Sequence, residues 1–202
     1  EASAAFLKSA PLRDYRIIHL ATHALVDERS VARTALALAP GGGESGFVGA
    51  GDLAAPTLGA ELVVLSACRT ARGKIVEGEG VQGLTAPLLQ AGARAVIATG
   101  WNIGDRSTIP LIESFYRNLA NGLPVTEALQ AAKLNAIRRG ASPREWAAFT
   151  LVGDPLVSVP LRTPTSTWRR WAVTLAAVVA ALAAGYGVYS FRRRNGRIAE
   201  AR

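Results

Sequence analysis

Two apolar runs in this 202-residue chain each lead into a residue able to take part in nucleophilic chemistry. Arg16-Ile17-Ile18-His19-Leu20-Ala21-Thr22-His23 runs into an imidazole, and Leu62-Val63-Val64-Leu65-Ser66-Ala67-Cys68 into the chain's only thiol. A buried strand that ends on His23, followed by a second buried strand that ends on Cys68, sets the two groups side by side at one rim of a parallel sheet. That is the layout of a cysteine nucleophile and its general base. A free thiol, with pKa near about 8.5, is only a few per cent thiolate at neutral pH, so a neighbouring imidazole is what makes it reactive.

Other readings of the same residues stay open at this point. One cysteine excludes an intramolecular disulfide, and two histidines with one cysteine cannot close a structural zinc site, so no metal is expected. Cys68 is then an inert buried thiol, a partner thiol, a redox sensor or a nucleophile. The redox reading leaves His23 unexplained. His19 lies inside the first strand and reads as structural; Ser66 reads as a strand-end polar group satisfied by backbone. Gly41-Gly42-Gly43 is not followed by Gly-Lys-Ser or a helix start, so it reads as a loose hairpin rather than a phosphate cradle. No organic cofactor is implied.

The elements that must position these groups follow from periodicity. Strand-like and helix-like segments alternate with glycine punctuation, which predicts a layered α/β fold with a mostly parallel sheet. Residues 2–9 read as a short helix and 15–21 as a strand. Residues 35–38 and 46–50 read as a hairpin, after which Asp52 caps a brief helical turn. The run 62–66 has no polar alternation and reads as a central strand covered on both faces. Residues 69–80 read as an exposed loop, 81–90 as a helix closed by Gly92, and 95–99 as a strand. Two longer amphipathic helices are expected over 107–121, with Pro110 in its first turn, and over 126–139, with Ala128, Leu129, Ala132 and Ile137 inward. A turn from Ser142 to Trp146 and a last strand over 149–152 complete the pattern, with Trp146 and Phe149 packing on the sheet.

Charge divides the chain unequally. The formal net charge is +8, which invites a nucleic-acid reading, but residues 162–202 carry eight arginines and one acid, while residues 1–161 carry fifteen basic and fourteen acidic side chains. The domain is nearly neutral, so no DNA or RNA partner is expected. Residues 171–191 are uncharged, flanked by Arg169 and Arg170 on one side and Arg192, Arg193 and Arg194 on the other, with Trp168, Trp171, Tyr186, Tyr189 and Phe191 near the ends. At about 1.5 Å per residue this run crosses roughly 30 Å of hydrocarbon, so it reads as a transmembrane helix anchored in a lipid bilayer. The arginine bias favours a cytoplasmic tail, which requires an upstream signal; without one the domain is cytoplasmic and the tail translocated. The chain has no methionine and begins within a pattern, so it is expected to continue a longer protein with a regulatory domain or partner upstream.

Ordered motifs run through residues 1–155: Ala21-Thr22-His23, Leu65-Ser66-Ala67-Cys68-Arg69-Thr70, Gly78-Glu79-Gly80-Val81-Gln82-Gly83-Leu84, Ala91-Gly92-Ala93-Arg94, Gly100-Trp101-Asn102-Ile103-Gly104-Asp105 and Trp146-Ala147-Ala148-Phe149-Thr150-Leu151-Val152-Gly153-Asp154-Pro155. Together they closely resemble the CHAT family of caspase-like cysteine peptidases. The resemblance implies a caspase-like three-layer αβα sandwich over residues 1–160 whose N-terminal strands are largely absent; composition and charge add a linker over 161–170, the membrane helix over 171–191 and a basic tail over 192–202. It implies His23 as base and Cys68 as nucleophile, with the backbone N–H groups of Ala24 and Cys68 as oxyanion donors. Asp105, Glu77 and Glu79 are candidates to meet a basic substrate side chain, although Asp105 equally suits a helix cap.

The expected activity is that of a single-pass, membrane-anchored cysteine endopeptidase acting on a protein or peptide substrate, in the bacterial inner membrane. The alternative is a catalytically inactive CHAT module serving as a membrane-tethered interaction scaffold. It draws on Ala24, where relatives carry glycine, and on Ala71-Arg72-Gly73, where they carry an earlier glycine.

Overall fold

The computed structural model describes residues 2–25, 34–66, 68, 69, 83–101 and 103–161, with the backbone alone at Cys68, Arg69 and Asp105. Helices are α1 (Ala4–Ser9), α2 (Ala50–Ala54), α3 (Thr85–Gln90), α4 (Asp105–Ala120), α5 (Val125–Arg138) and α6 (Pro143–Trp146). Strands are β1 (Ile17–Leu20), β2 (His23–Leu25), β3 (Ala35–Ala37), β4 (Phe47–Gly49), β5 (Leu62–Leu65), β6 (Cys68–Arg69), β7 (Ala95–Thr99) and β8 (Phe149–Gly153).

The run Leu62-Val63-Val64-Leu65 offers no polar face to water, and all four side chains are fully buried. It sits inside a sheet of order β1-β5-β7-β8, parallel across β1, β5 and β7 and closed by antiparallel β8. Alternate residues serve opposite layers, as the two-residue period of a strand requires. Val63, Leu65, Val96 and Ala98 join a cluster with Ala4 and Leu7 of α1, Leu53 of α2 and Leu88 of α3. Leu62, Val64, Ala95 and Ile97 join a second cluster with Leu111, Phe115 and Leu119 of α4 and Val125, Ala128 and Ala132 of α5. A mixed α/β fold with a mostly parallel sheet between helical layers is the result.

A second sheet, of order β4-β3-β2-β6, differs from the expected single strands through His23 and Cys68. The strand expected over 15–21 ends at Leu20, and the strand expected over 62–66 ends at Leu65. Each segment then begins a new short strand, at His23 and at Cys68; β2 pairs with β3 of the β3–β4 hairpin and β6 pairs with β2, instead of continuing the first sheet. His23 and Cys68 therefore open strands rather than end them.

Local details also depart from expectation. Helix α4 starts at Asp105, two residues early, so Pro110 lies beyond its first turn; extended Gly104 (φ −71°, ψ 152°) occupies the cap position assigned to Asp105. Asp52 is the third residue of α2, and its Oδ2 accepts from the Gly49 N–H at 3.0 Å; that bond, followed by Lys8, holds its carboxyl below the usual range. Ile137 is exposed, because Ala136 takes the inward position one step earlier on α5. Gly92 behaves as expected: it follows α3 at φ +112°, and a Cβ there would lie 2.6 Å from the Leu58 carbonyl oxygen.

Residues 1–161 form one compact unit. The segment 171–191 and its arginine flanks lie outside the described residues, and among the described residues no helix is long and apolar enough to cross a membrane. Because β5 carries both clusters, Leu65→Ala is expected to cost about 2–5 kcal/mol by urea unfolding, whereas Leu134→Ala, on the exposed side of α5, should change stability by about 0.5 kcal/mol or less.

Candidate active site

Strand alternation decides which face carries the candidate chemistry. Ile18 and Leu20 pack with the cluster under α1–α3, and Ala24, fully buried, belongs to the same cluster. Ile17 packs with the cluster under α4 and α5, and the His19 ring lies 5.6 Å from that of Tyr116 on α4. Positions 17 and 19 thus share the α4 face, and on β2 His23 is exposed while Ala24 is buried. The imidazole is presented outward because its neighbour is drawn inward.

The partner strand follows the same course. Along β1 and β5, Leu20 opposes Leu65; across the break, His23 opposes Cys68 and Ala24 opposes Arg69. The offset is unchanged, so neither chain gains or loses a residue between the sheets. Directly opposed residues in neighbouring strands belong to strands roughly 4.8 Å apart, which brings the backbones of His23 and Cys68 together. On its other edge β2 pairs with β3, where His23 opposes Ala37. Among the described residues no non-glycine φ is positive, so Ala24 sits without backbone strain.

The main-chain ladder is carried one step past β5 by Ser66, whose N–H donates to Leu20 O at 3.1 Å. At this level Ser66 Oγ and His19 Nε2 are hydrogen-bonded at 2.7 Å, and the Thr22 hydroxyl donates to the Ala37 carbonyl. Ser66 therefore does not satisfy its hydroxyl on backbone, and His19 is more than strand filler. The even spacings that reveal this, His19 to His23 and Ser66 to Cys68, were available in the sequence. Tyr116 was expected only as part of the inward face of α4. Its hydroxyl is buried with no partner among the described residues, and burial pushes its pKa up to about 12. His19 keeps an exposed edge, yet partial desolvation lowers its pKa, which favours the neutral ring.

Asp105 is the first residue of α4, following the C-terminal end of β7, and only its backbone is described; Glu77 and Glu79 lie outside the described residues. Near the start of α4 the Ser107 hydroxyl donates to Glu145, which together with Ser142 keeps that carboxyl below its usual range. Trp146 and Phe149 pack in the α4–α5 cluster, as expected. Among the described residues no group of three His, Cys, Asp or Glu converges as a metal site.

With the site's frame in place, comparison with known proteins is decisive for the family: residues 1–154 match the CHAT domain. The chain belongs to the CHAT domain family. That caspase-like, peptidase-related family accords with the α/β sheet and with a His strand beside a Cys strand. The chain is also similar to Tetratricopeptide repeat protein 28 of Mus musculus, 33% identical over 119 residues, and to its Homo sapiens counterpart, 32% identical over 119 residues. Each match covers 58% of this chain but only 5% of the relative.

The His19 shift has a measurable sign. The folded CHAT domain prefers the neutral ring, so unfolded chains bind the proton more readily as pH falls below the ordinary value of 6.5. Urea midpoints are expected to drop between pH 7.5 and 5.5 by more in the wild type than in His19→Phe; equal drops would refute the assignment.

Proposed function

We propose that this CHAT domain is a cysteine endopeptidase, with Cys68 as nucleophile and His23 as its base, attached to a membrane through residues 171–191. The observation that carries the reading is the parallel pairing of His23 with Cys68 in a domain of a caspase-like family. In the proposed reaction the Cys68 sulfur attacks the scissile carbonyl carbon and its proton passes to His23. His23 then returns a proton to the leaving amine, and water, deprotonated by the same imidazole, hydrolyses the thioester. The oxyanion is assigned to the N–H groups of Cys68 and Ala24, where one donor is typically worth about 3–4 kcal/mol of barrier. Asp105, Glu77 and Glu79 are assigned to a basic substrate side chain.

One observation favours a second reading. The matched relatives are named for tetratricopeptide repeats, which stack helix pairs into concave binding surfaces, and this suits a CHAT module that scaffolds partners. Cleavage separates the two. On the full-length chain, Cys68→Ala should abolish hydrolysis of a peptide library and labelling by a thiol-reactive peptidyl probe, and His23→Ala should slow hydrolysis roughly 10²–10⁴-fold. An intact protein that neither cleaves nor labels would favour the scaffold.

The anchor is tested separately. Deleting residues 171–191 should move the protein from the carbonate-resistant membrane fraction to the supernatant; a full chain already in the supernatant would refute the attachment.

A further inference from the structure

The backbone ladder joining the two halves of the site is interrupted. Among the described residues, hydrogen-bonded pairing of β1 with β5 reaches Leu20 and Leu65, with an added bond from the Ser66 N–H, and is next found at His23 and Cys68. Strand β6 is two residues long, and a pairing that short is too weak to choose its own register. At the last level before the interruption, a side-chain bond ties the segment leading to Cys68 to the strand leading to His23: His19 Nε2 to Ser66 Oγ, at 2.7 Å. His19 lies four residues before His23, and Ser66 two before Cys68. The bond is held in place from the side by Tyr116, whose ring stands 5.6 Å from the imidazole at a 35° tilt.

We propose that the His19–Ser66 hydrogen bond is the strut that keeps Cys68 opposed to His23, making His19 and Ser66 positioning residues for the dyad. The proposal rests on the reading of Cys68 and His23 as a dyad. Its logic is distance: an imidazole lowers a thiol's pKa only through close approach, and a shift of one residue along a strand displaces the partner by about 3.3 Å. The strut acts on the thiol only through its registration with His23. A role confined to fold stability would leave the thiol titration unchanged in variants that stay folded.

Since Cys68 is the chain's only cysteine, the pH dependence of its alkylation by iodoacetamide reports that thiol alone in the full chain. In wild type the midpoint should lie below the ordinary thiol value, and His23→Ala should raise it. Ser66→Ala removes the hydroxyl, and His19→Phe keeps a ring against Tyr116 without the bond. Each should raise the midpoint by about half to one pH unit, a roughly three- to tenfold loss of alkylation rate at neutral pH, while Ser66→Thr stays with wild type. If His23→Ala raises the midpoint and whichever of Ser66→Ala and His19→Phe folds leaves it at the wild-type value, the strut is refuted and the dyad stands. If His23→Ala itself has no effect, the dyad reading fails and the strut with it.

Discussion

The pairing of β1 with β5 admits a single register, and the site inherits it. Side chains alternate between two apolar clusters along both strands, so a one-residue slip would exchange the sets, carrying Leu62 and Val64 to the wrong layer and His19 into the core beneath α1–α3. Burying four large aliphatic side chains of β5, each worth about 1.5–3 kcal/mol on a transfer scale, makes that exchange prohibitive. The core fixes the register of these two segments as far as Leu20 and Leu65, and the same offset reappears where His23 opposes Cys68.

The second sheet is what lets the rim leave the core without losing that order. β2 is flanked by β3 on one edge and β6 on the other, and the inward side chains Ala24, Leu36 and Val48 extend the apolar cluster under it. The hairpin behind it is tied to α1 by a bridge between Ser3 and Ala39 and by Lys8, which reaches Glu44 at 2.7 Å and Asp52 at 3.0 Å. Those ion pairs are solvent-exposed and screened by water, so burial of Ala4 and Leu7 is the larger contribution to holding α1 there. The support beneath His23 is thus mainly apolar, with charges setting orientation at its edge.

How much of this was legible depended on whether a signal was local. The apolar run at 62–65, the strand at 95–99 and the amphipathic face of α4 announce themselves by periodicity and burial, and the ordered motifs pointed to the family. The switch between sheets did not, because His23 and Cys68 extend apolar runs whose hydropathy carries no mark of a change in hydrogen-bonding partner. Ser66 was read as backbone-satisfied because its partner lies on another strand, forty-seven positions away. Pro110 argued for a later helix start than the structure shows, since Gly104 supplies the extended cap and the helix accepts the proline inside. Ile137 outranked Ala136 by hydrophobicity alone, whereas the angular position on the helix decided which was buried.

His19 stands on β1 of the first sheet and His23 on β2 of the second. His19 has an aromatic ring beside it and a hydroxyl as its polar partner, an environment that disfavours the charged ring. A hydroxyl can donate to or accept from a neutral imidazole, so Ser66 accommodates either neutral tautomer without requiring a charge. A thiolate–imidazolium pair at Cys68 and His23 would gain from that neutrality: a second cation four residues before His23 would compete for the thiolate and repel the imidazolium. Placing a neutral polar bond, rather than an ion pair, beneath the proposed dyad secures the two strands while leaving the charge balance at the rim to His23 and Cys68.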